Sequence, residues 1–212
     1  MSDGWRGRLA KAFLREDAHD ARVVVLDTET SGLDPQRDEL LAIGAVAVDA
    51  TGIRVEDSFE AVLRPSGPVS KDSIVVHGIG GEMQRDGAAP RDALEAFAAY
   101  AGEAPLIAFH ASFDRAILER AFAKAGVPKL ASAWLDAAHL AATLFPEENK
   151  RGTRALDDWL TRFGIGTVAR HSAAGDAVVT AELFLRLRAL AVKEGHRSHA
   201  SLARFAQAHR WL

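Results

Sequence analysis

Cysteine is absent from this 212-residue chain, which excludes disulfides, thiolate metal sites and a cysteine nucleophile. No apolar run approaches the roughly 20 residues that span a bilayer. Met1 to Asp20 carries charges every few residues and lacks the apolar core of a signal peptide. No membrane partner is therefore expected, and the chain reads as soluble and cytoplasmic. Cationic excess is missing too: Lys and Arg total 26 against 29 Asp and Glu, a formal charge of −3. Phosphate contacts supply most non-specific nucleic-acid affinity. A chain with this balance does not coat duplex DNA, so any nucleic-acid binding is local to a site. Internal repeats, low-complexity tracts and obvious linkers are also lacking. What is present, a 48% hydrophobic composition over this length, suits one globular domain with a sizeable core.

Residues 1–20 read as a polar helical arm with Trp5, Leu9, Phe13 and Leu14 at helical spacing. Val23-Val24-Val25-Leu26 is a continuous apolar run, the pattern of a strand buried on both faces. A turn-rich segment at Thr30 to Pro35 precedes a second strand, Leu40 to Val48. Gly52 turns the chain into a third, Ile53 to Leu63, completing an antiparallel meander. Pro65 to Gly81 is rich in Gly, Ser and Pro and reads as loop. Helix and strand then alternate. Pro90 opens a helix with Ala93, Leu94, Phe97 and Ala98 on its apolar stripe. Leu106 to Phe109 is a short strand, and a helix follows from Ser112, a good N-cap, to Ala125, closed by Gly126. Trp134-Leu135 reads as an edge strand and Ala137 to Leu144 as helix. Further helices cover 153–163 and 172–192. A meander followed by βαβ units implies an α/β fold, a mixed sheet with helices on its faces.

The chemical signal begins where the first strand ends, at Asp27-Thr28-Glu29. Side chains alternate along a strand, so Asp27 and Glu29 share a side and Thr28 points away. Two adjacent carboxylates repel, and a hard divalent cation relieves this. Read alone, the pair is equally the opening of a solvated loop. Asp114 belongs to the first turn of its helix, where the dipole favours an anion. It shares the buried stripe of Ile117 and Leu118, and a buried carboxylate needs a partner. Asp176 leads the apolar stripe Val179, Leu183, Leu187 and Leu190, so it too faces inward. His171, five residues earlier, belongs to the loop ahead of that helix. Together the acids suit a two-metal centre, and a histidine suits the base that deprotonates water.

Asp27-Thr28-Glu29-Thr30, Phe113-Asp114 and His171-x4-Asp176 resemble the three motifs of the DEDDh 3′–5′ exonucleases, from about Val23 to Leu187. Ile43-Gly44-Ala45-Val46 and Val76-His77-Gly78-Ile79 agree with secondary motifs. The resemblance implies a ribonuclease-H-like, mixed five-stranded sheet flanked by helices, with an exonuclease domain over 21–193 and a helical tail over 194–212 packed on it. It implies that Asp27, Glu29, Asp114 and Asp176 hold two Mg²⁺ or Mn²⁺ ions and that His171 is the base. The backbone around Thr28 to Thr30 would grip the terminal nucleotide, Leu33 would wedge against its base, and nucleoside 5′-monophosphates would be released. The implied partner is a single-stranded 3′ end, DNA ahead of RNA, with a DNA polymerase subunit as a further partner.

The chain departs from that pattern at His110, where relatives carry Asn, and at Ala42, where many carry an acid. His110 and Phe113 line the second motif and, like His77, are expected on the substrate side. Asp136 reads as a helix N-cap, and Asp157 and Asp158 as solvated acids of a first helical turn. Leu202, Phe205, Ala206, His209 and Trp211 read as core packing of the tail. Lys150, Arg151, Arg154 and Arg170 form either a basic rim for phosphate or ordinary soluble surface.

Overall fold

A computed structural model of the chain describes residues 22–67, 79, 81–149, 154–166 and 172–208. Its centre is a five-stranded sheet. The strands are β1 (Val23–Thr30), β2 (Leu40–Asp49), β3 (Gly52–Val62), β4 (Leu106–Ala108) and β5 (Trp134–Asp136), in the order β3-β2-β1-β4-β5. β1, β2 and β3 pair antiparallel, whereas β4 and β5 run parallel to β1. This is the mixed sheet expected from a meander followed by a βαβ unit. The helices are α1 (Gly81–Asp86), α2 (Pro90–Ala101), α3 (Ala111–Ala125), α4 (Ala137–Leu144), α5 (Pro146–Asn149), α6 (Leu156–Phe163), α7 (Ala173–Lys193) and α8 (His199–Ala208). Among the described residues no helix is long and apolar enough to cross a membrane.

Alternation along β1 divides the core into two layers. Val23 and Val25 pack with Val179, Leu183, Phe184 and Leu187 of α7 and with Leu140, Trp159 and Leu202. Val24 and Leu26 pack on the opposite face with Leu94 and Phe97 of α2 and Ile117, Leu118 and Phe122 of α3. Burial of each such side chain contributes roughly 1.5–3 kcal/mol. β1 and β2 are covered on both sides, which explains their unbroken apolar runs. The edge strand β3 alternates between exposed and half-buried positions. Leu202 and Ala206 tie α8 into the α7-side layer, and the Thr143 hydroxyl donates to the Ala206 carbonyl at 3.4 Å.

Three local expectations need correction. The segment read as loop ends before Gly81, which opens a short helix, Gly81–Asp86. Strand β4 stops at Ala108, one residue before Phe109. Helix α3 starts at Ala111 with His110, not Ser112, as its N-cap residue. His110 adopts a left-handed conformation, φ 61° and ψ 45°, and its N–H donates to Asp136 Oδ1 at 3.1 Å. A carboxylate from β5 therefore turns the chain into α3, so no local serine cap is needed. The arm at 1–20, Lys150, Arg151, Arg170, His209 and Trp211 lie outside the described residues.

Candidate active site

All the relevant chain ends meet at one end of the sheet. β1 finishes there at Thr30, β2 begins there, β4 leads there into α3, and α7 starts there. Asp27 and Glu29 follow Val23 and Val25 in strand parity, so they project toward the α7 face. Ser172 caps α7, its hydroxyl accepting the Gly175 N–H at 3.2 Å. This holds Asp176 in the first turn of α7, buried on its sheet-facing side. Each of Asp27, Glu29 and Asp176 offers a carboxylate oxygen within 4.8 Å of the other two. Three oxygens at that spacing match the donor set of a hard cation such as Mg²⁺ or Mn²⁺. Without a cation, three like charges so close oppose one another.

Asp114 is not a member of that group. It follows Ala111 into the first turn of α3, on the opposite layer, and is only 4% exposed. Its partner is Thr28, which continues the parity of Val24 and Leu26. The Thr28 hydroxyl donates to Asp114 Oδ1 at 2.8 Å. Burial pushes the Asp114 carboxyl up to about 7, with the Asp136 charge adding to the rise; the Thr28 hydroxyl pulls the other way. The cluster and the lone carboxyl are thus served by successive residues of one strand.

The loop after β1 is tightly braced. Thr30 donates to the Gly32 carbonyl at 2.6 Å. Asp38 accepts from the Ser31 hydroxyl at 3.0 Å and the Asp34 N–H at 2.8 Å, and Asp34 accepts the Gln36 N–H at 2.9 Å. Leu33 rides on this loop 91% exposed, an apolar side chain offered to solvent four residues after Glu29. The brace by Asp38 escaped the sequence reading, although Asp34-Pro35 ahead of it is a turn signal. Thr28 is engaged through its hydroxyl with Asp114, and its backbone pairs with Ile43. Phe113 is half-buried and His110 exposed, with the His110 ring edge-on to Phe109 at 4.6 Å. His171 and His77 lie outside the described residues.

Asp136 does more than cap α4. The same Oδ1 accepts the N–H groups of Ala138 at 2.9 Å, His139 at 3.4 Å and His110 at 3.1 Å. It therefore joins β5 to the turn that delivers Asp114. Asn and His are enriched among residues with positive φ, which gives a backbone reason for either residue at position 110. Asp158 accepts the Ala155 N–H at 3.0 Å at the start of α6. Arg154 lies 3.8 Å from Glu148 and over the Trp159 ring.

The RNase T exonuclease family model matches residues 24–184. PolC-type DNA polymerase III of Thermotoga maritima is 33% identical over 176 residues, covering 83% of this chain and 12% of that polymerase. The chain thus corresponds to a small part of that relative's length. Exonuclease X in complex with 5′-overhanging duplex DNA is similar with a TM-score of 0.66 and 22% identity, over 87% of this chain and 98% of that one. The zinc-bound Escherichia coli exonuclease I complex with single-stranded DNA gives 0.68 and 17%, over 84% and 43%. These likenesses establish the ribonuclease-H-like mixed sheet as the fold.

Proposed function

Since the chain belongs to the RNase T exonuclease family, we propose that it removes nucleotides from the 3′ end of single-stranded or frayed DNA, releasing nucleoside 5′-monophosphates. Members of the family are metal-dependent nucleases. The observation that carries the reading is the convergence of Asp27, Glu29 and Asp176 within 4.8 Å.

In this reading Asp27, Glu29, Asp114 and Asp176 together hold two Mg²⁺ or Mn²⁺ ions, and the spacing of the three clustered acids suits a hard cation. When bound, such ions supply positive charge to the phosphoryl oxygens and lower the pKa of water. The protein's own groups do the rest. His171, five residues ahead of Asp176, accepts the proton of the attacking water. Leu33 packs its exposed side chain on the terminal base. The backbone near Thr30, with His77, His110 and Phe113, holds the terminal nucleotide in line. Residues 21–193 form the nuclease domain, with 1–20 as an arm and 194–212 as a tail.

DNA is favoured over RNA because the relative is a DNA polymerase and both neighbouring structures hold DNA. The same polymerase relative supports a second reading, an active module that serves a DNA polymerase as partner. The decisive assay follows 3′-labelled single-stranded DNA and RNA of matched sequence. Mg²⁺- or Mn²⁺-dependent release of mononucleotides, faster from DNA, is expected, and Asp27→Ala and His171→Ala should each slow it by about 10²-fold or more. A rate unchanged by both substitutions would overturn the assignment, and faster release from RNA would overturn the substrate choice.

A further inference from the structure

We infer that Gly44 is a positioning residue for the carboxylate cluster: having no side chain, it lets the first turn of α7 rest on β2 and so sets Asp176 beside Asp27 and Glu29. The inference deepens the metal-site reading above and rests on it.

Gly44 stands directly opposite Asp27 in the β1–β2 pairing. A Cβ at this position would overlap the carbonyl group of Ala173 and the nitrogen of Ala174. These are backbone atoms and cannot swing aside as the tip of a flexible side chain can. An added methyl would therefore displace the turn itself. The requirement is for space, since the Gly44 backbone is ordinary extended strand. Asp176 moves with that turn. Its N–H donates to the Ser172 carbonyl at 2.9 Å, and Ser172 caps the turn through Gly175. A shift of α7 away from β2 would carry the Asp176 carboxylate away from a cluster whose oxygens lie within 4.8 Å of one another.

A plain packing role for Gly44 predicts something different: lost stability with an unaltered metal site. Gly87 supplies that comparison. A Cβ there would also press on backbone, 2.9 Å from Leu63 and Arg64 atoms, but none of the three clustered acids lies against it. The test is a titration of the chelator-stripped full chain with Mn²⁺, read by the EPR signal of free Mn²⁺. Thermal unfolding is measured in parallel on wild type, Asp27→Ala, Gly44→Ala and Gly87→Ala.

Gly44→Ala should bind Mn²⁺ roughly 10–100-fold more weakly, the scale of loss when a residue that orients ligands is changed. Gly87→Ala should lose thermal stability and keep the wild-type Mn²⁺ affinity. Wild-type affinity in folded Gly44→Ala would overturn the inference while leaving the metal site intact. If wild type and Asp27→Ala are indistinguishable in Mn²⁺ binding, the metal-site reading falls first, and the inference with it. Should Gly44→Ala not fold, Ser172→Ala loosens the same turn from its capping side. Roughly tenfold weaker Mn²⁺ binding is then expected, and unchanged binding would overturn the inference.

Discussion

Asp27 and Glu29 project from one face of β1, and Thr28 between them projects from the other. The α7 face gathers three carboxylates within 4.8 Å. The α3 face holds one buried carboxyl, Asp114, and gives it a hydroxyl partner. The first arrangement concentrates negative charge in the pattern of oxygen donors that a hard cation takes. The second places an acid where the neutral form is favoured and sets its titration near neutrality. Three consecutive residues thus reach two electrostatic regimes because a strand sends neighbours to opposite sides. The lesson is that four acids in three motifs need not share one environment.

The sharpest way to break this comparison is to neutralise one member of the α7-side cluster. Asp27→Asn or Asp176→Asn should lower the rate of mononucleotide release by about 10³-fold or more, the loss expected when several kcal/mol of charge stabilisation disappear. For the proposed base, His171→Ala should lower the rate by about 10²–10⁴-fold, and it differs from the cluster variants in leaving Mn²⁺ affinity unchanged.

Much of this contrast was legible beforehand. The period-two alternation of β1 assigns Asp27 and Glu29 to one side, and the stripe of Val179, Leu183 and Leu187 assigns Asp176 to the inner side of its helix. What alternation and periodicity do not contain is which helix covers which face. Asp114 also points inward, but inward from α3 means the opposite layer from α7, and only tertiary packing decides that. The start of α3 shows the same limit. Ser112 is a good local cap, yet the turn is held by Asp136, 26 residues away from His110. The short helix Gly81–Asp86 was hidden because its first residue is glycine, a residue that marks turns more often than helices.

The titration of Asp114 sharpens the comparison from its other side. An aspartate in an unfolded chain titrates near 3.9, whereas Asp114 in the folded chain is pushed up to about 7. Folding therefore takes up a proton between those values, the reverse of the usual salt-bridged aspartate. Stability conferred at low pH is lost as pH rises from about 4 to about 7, and then levels off. In EDTA, Asp114→Asn should abolish this slope and be more stable than wild type at pH 8 by an amount on the order of a few kcal/mol. At pH 4 the two should match. A wild-type stability that instead rises over this range would show that Asp114 is ionised in the folded protein. Its nuclease activity should fall at both pH values, since the fourth acid is gone.

The smallest expected effect isolates the hydroxyl that distinguishes the two faces. Thr28→Val keeps the shape and β-branching of the side chain but removes the donor to Asp114 Oδ1. The cost should be about 1–3 kcal/mol, because a buried acceptor loses its partner. Thr28→Ser, which keeps the hydroxyl, should retain most of the stability that valine loses. Losing the donor also removes an interaction that favours the charged form, so the Asp114 titration should move still higher. The loss of stability with rising pH should then extend beyond that of wild type, and unfolding curves in EDTA between pH 6 and pH 9 will show it. Mn²⁺ binding by Asp27, Glu29 and Asp176 should change little, because Thr28 faces the other layer. If Mn²⁺ affinity instead falls as far as in Asp27→Asn, the hydroxyl on Asp114 governs metal binding as strongly as a clustered acid does, and the electrostatic contrast between the faces fails.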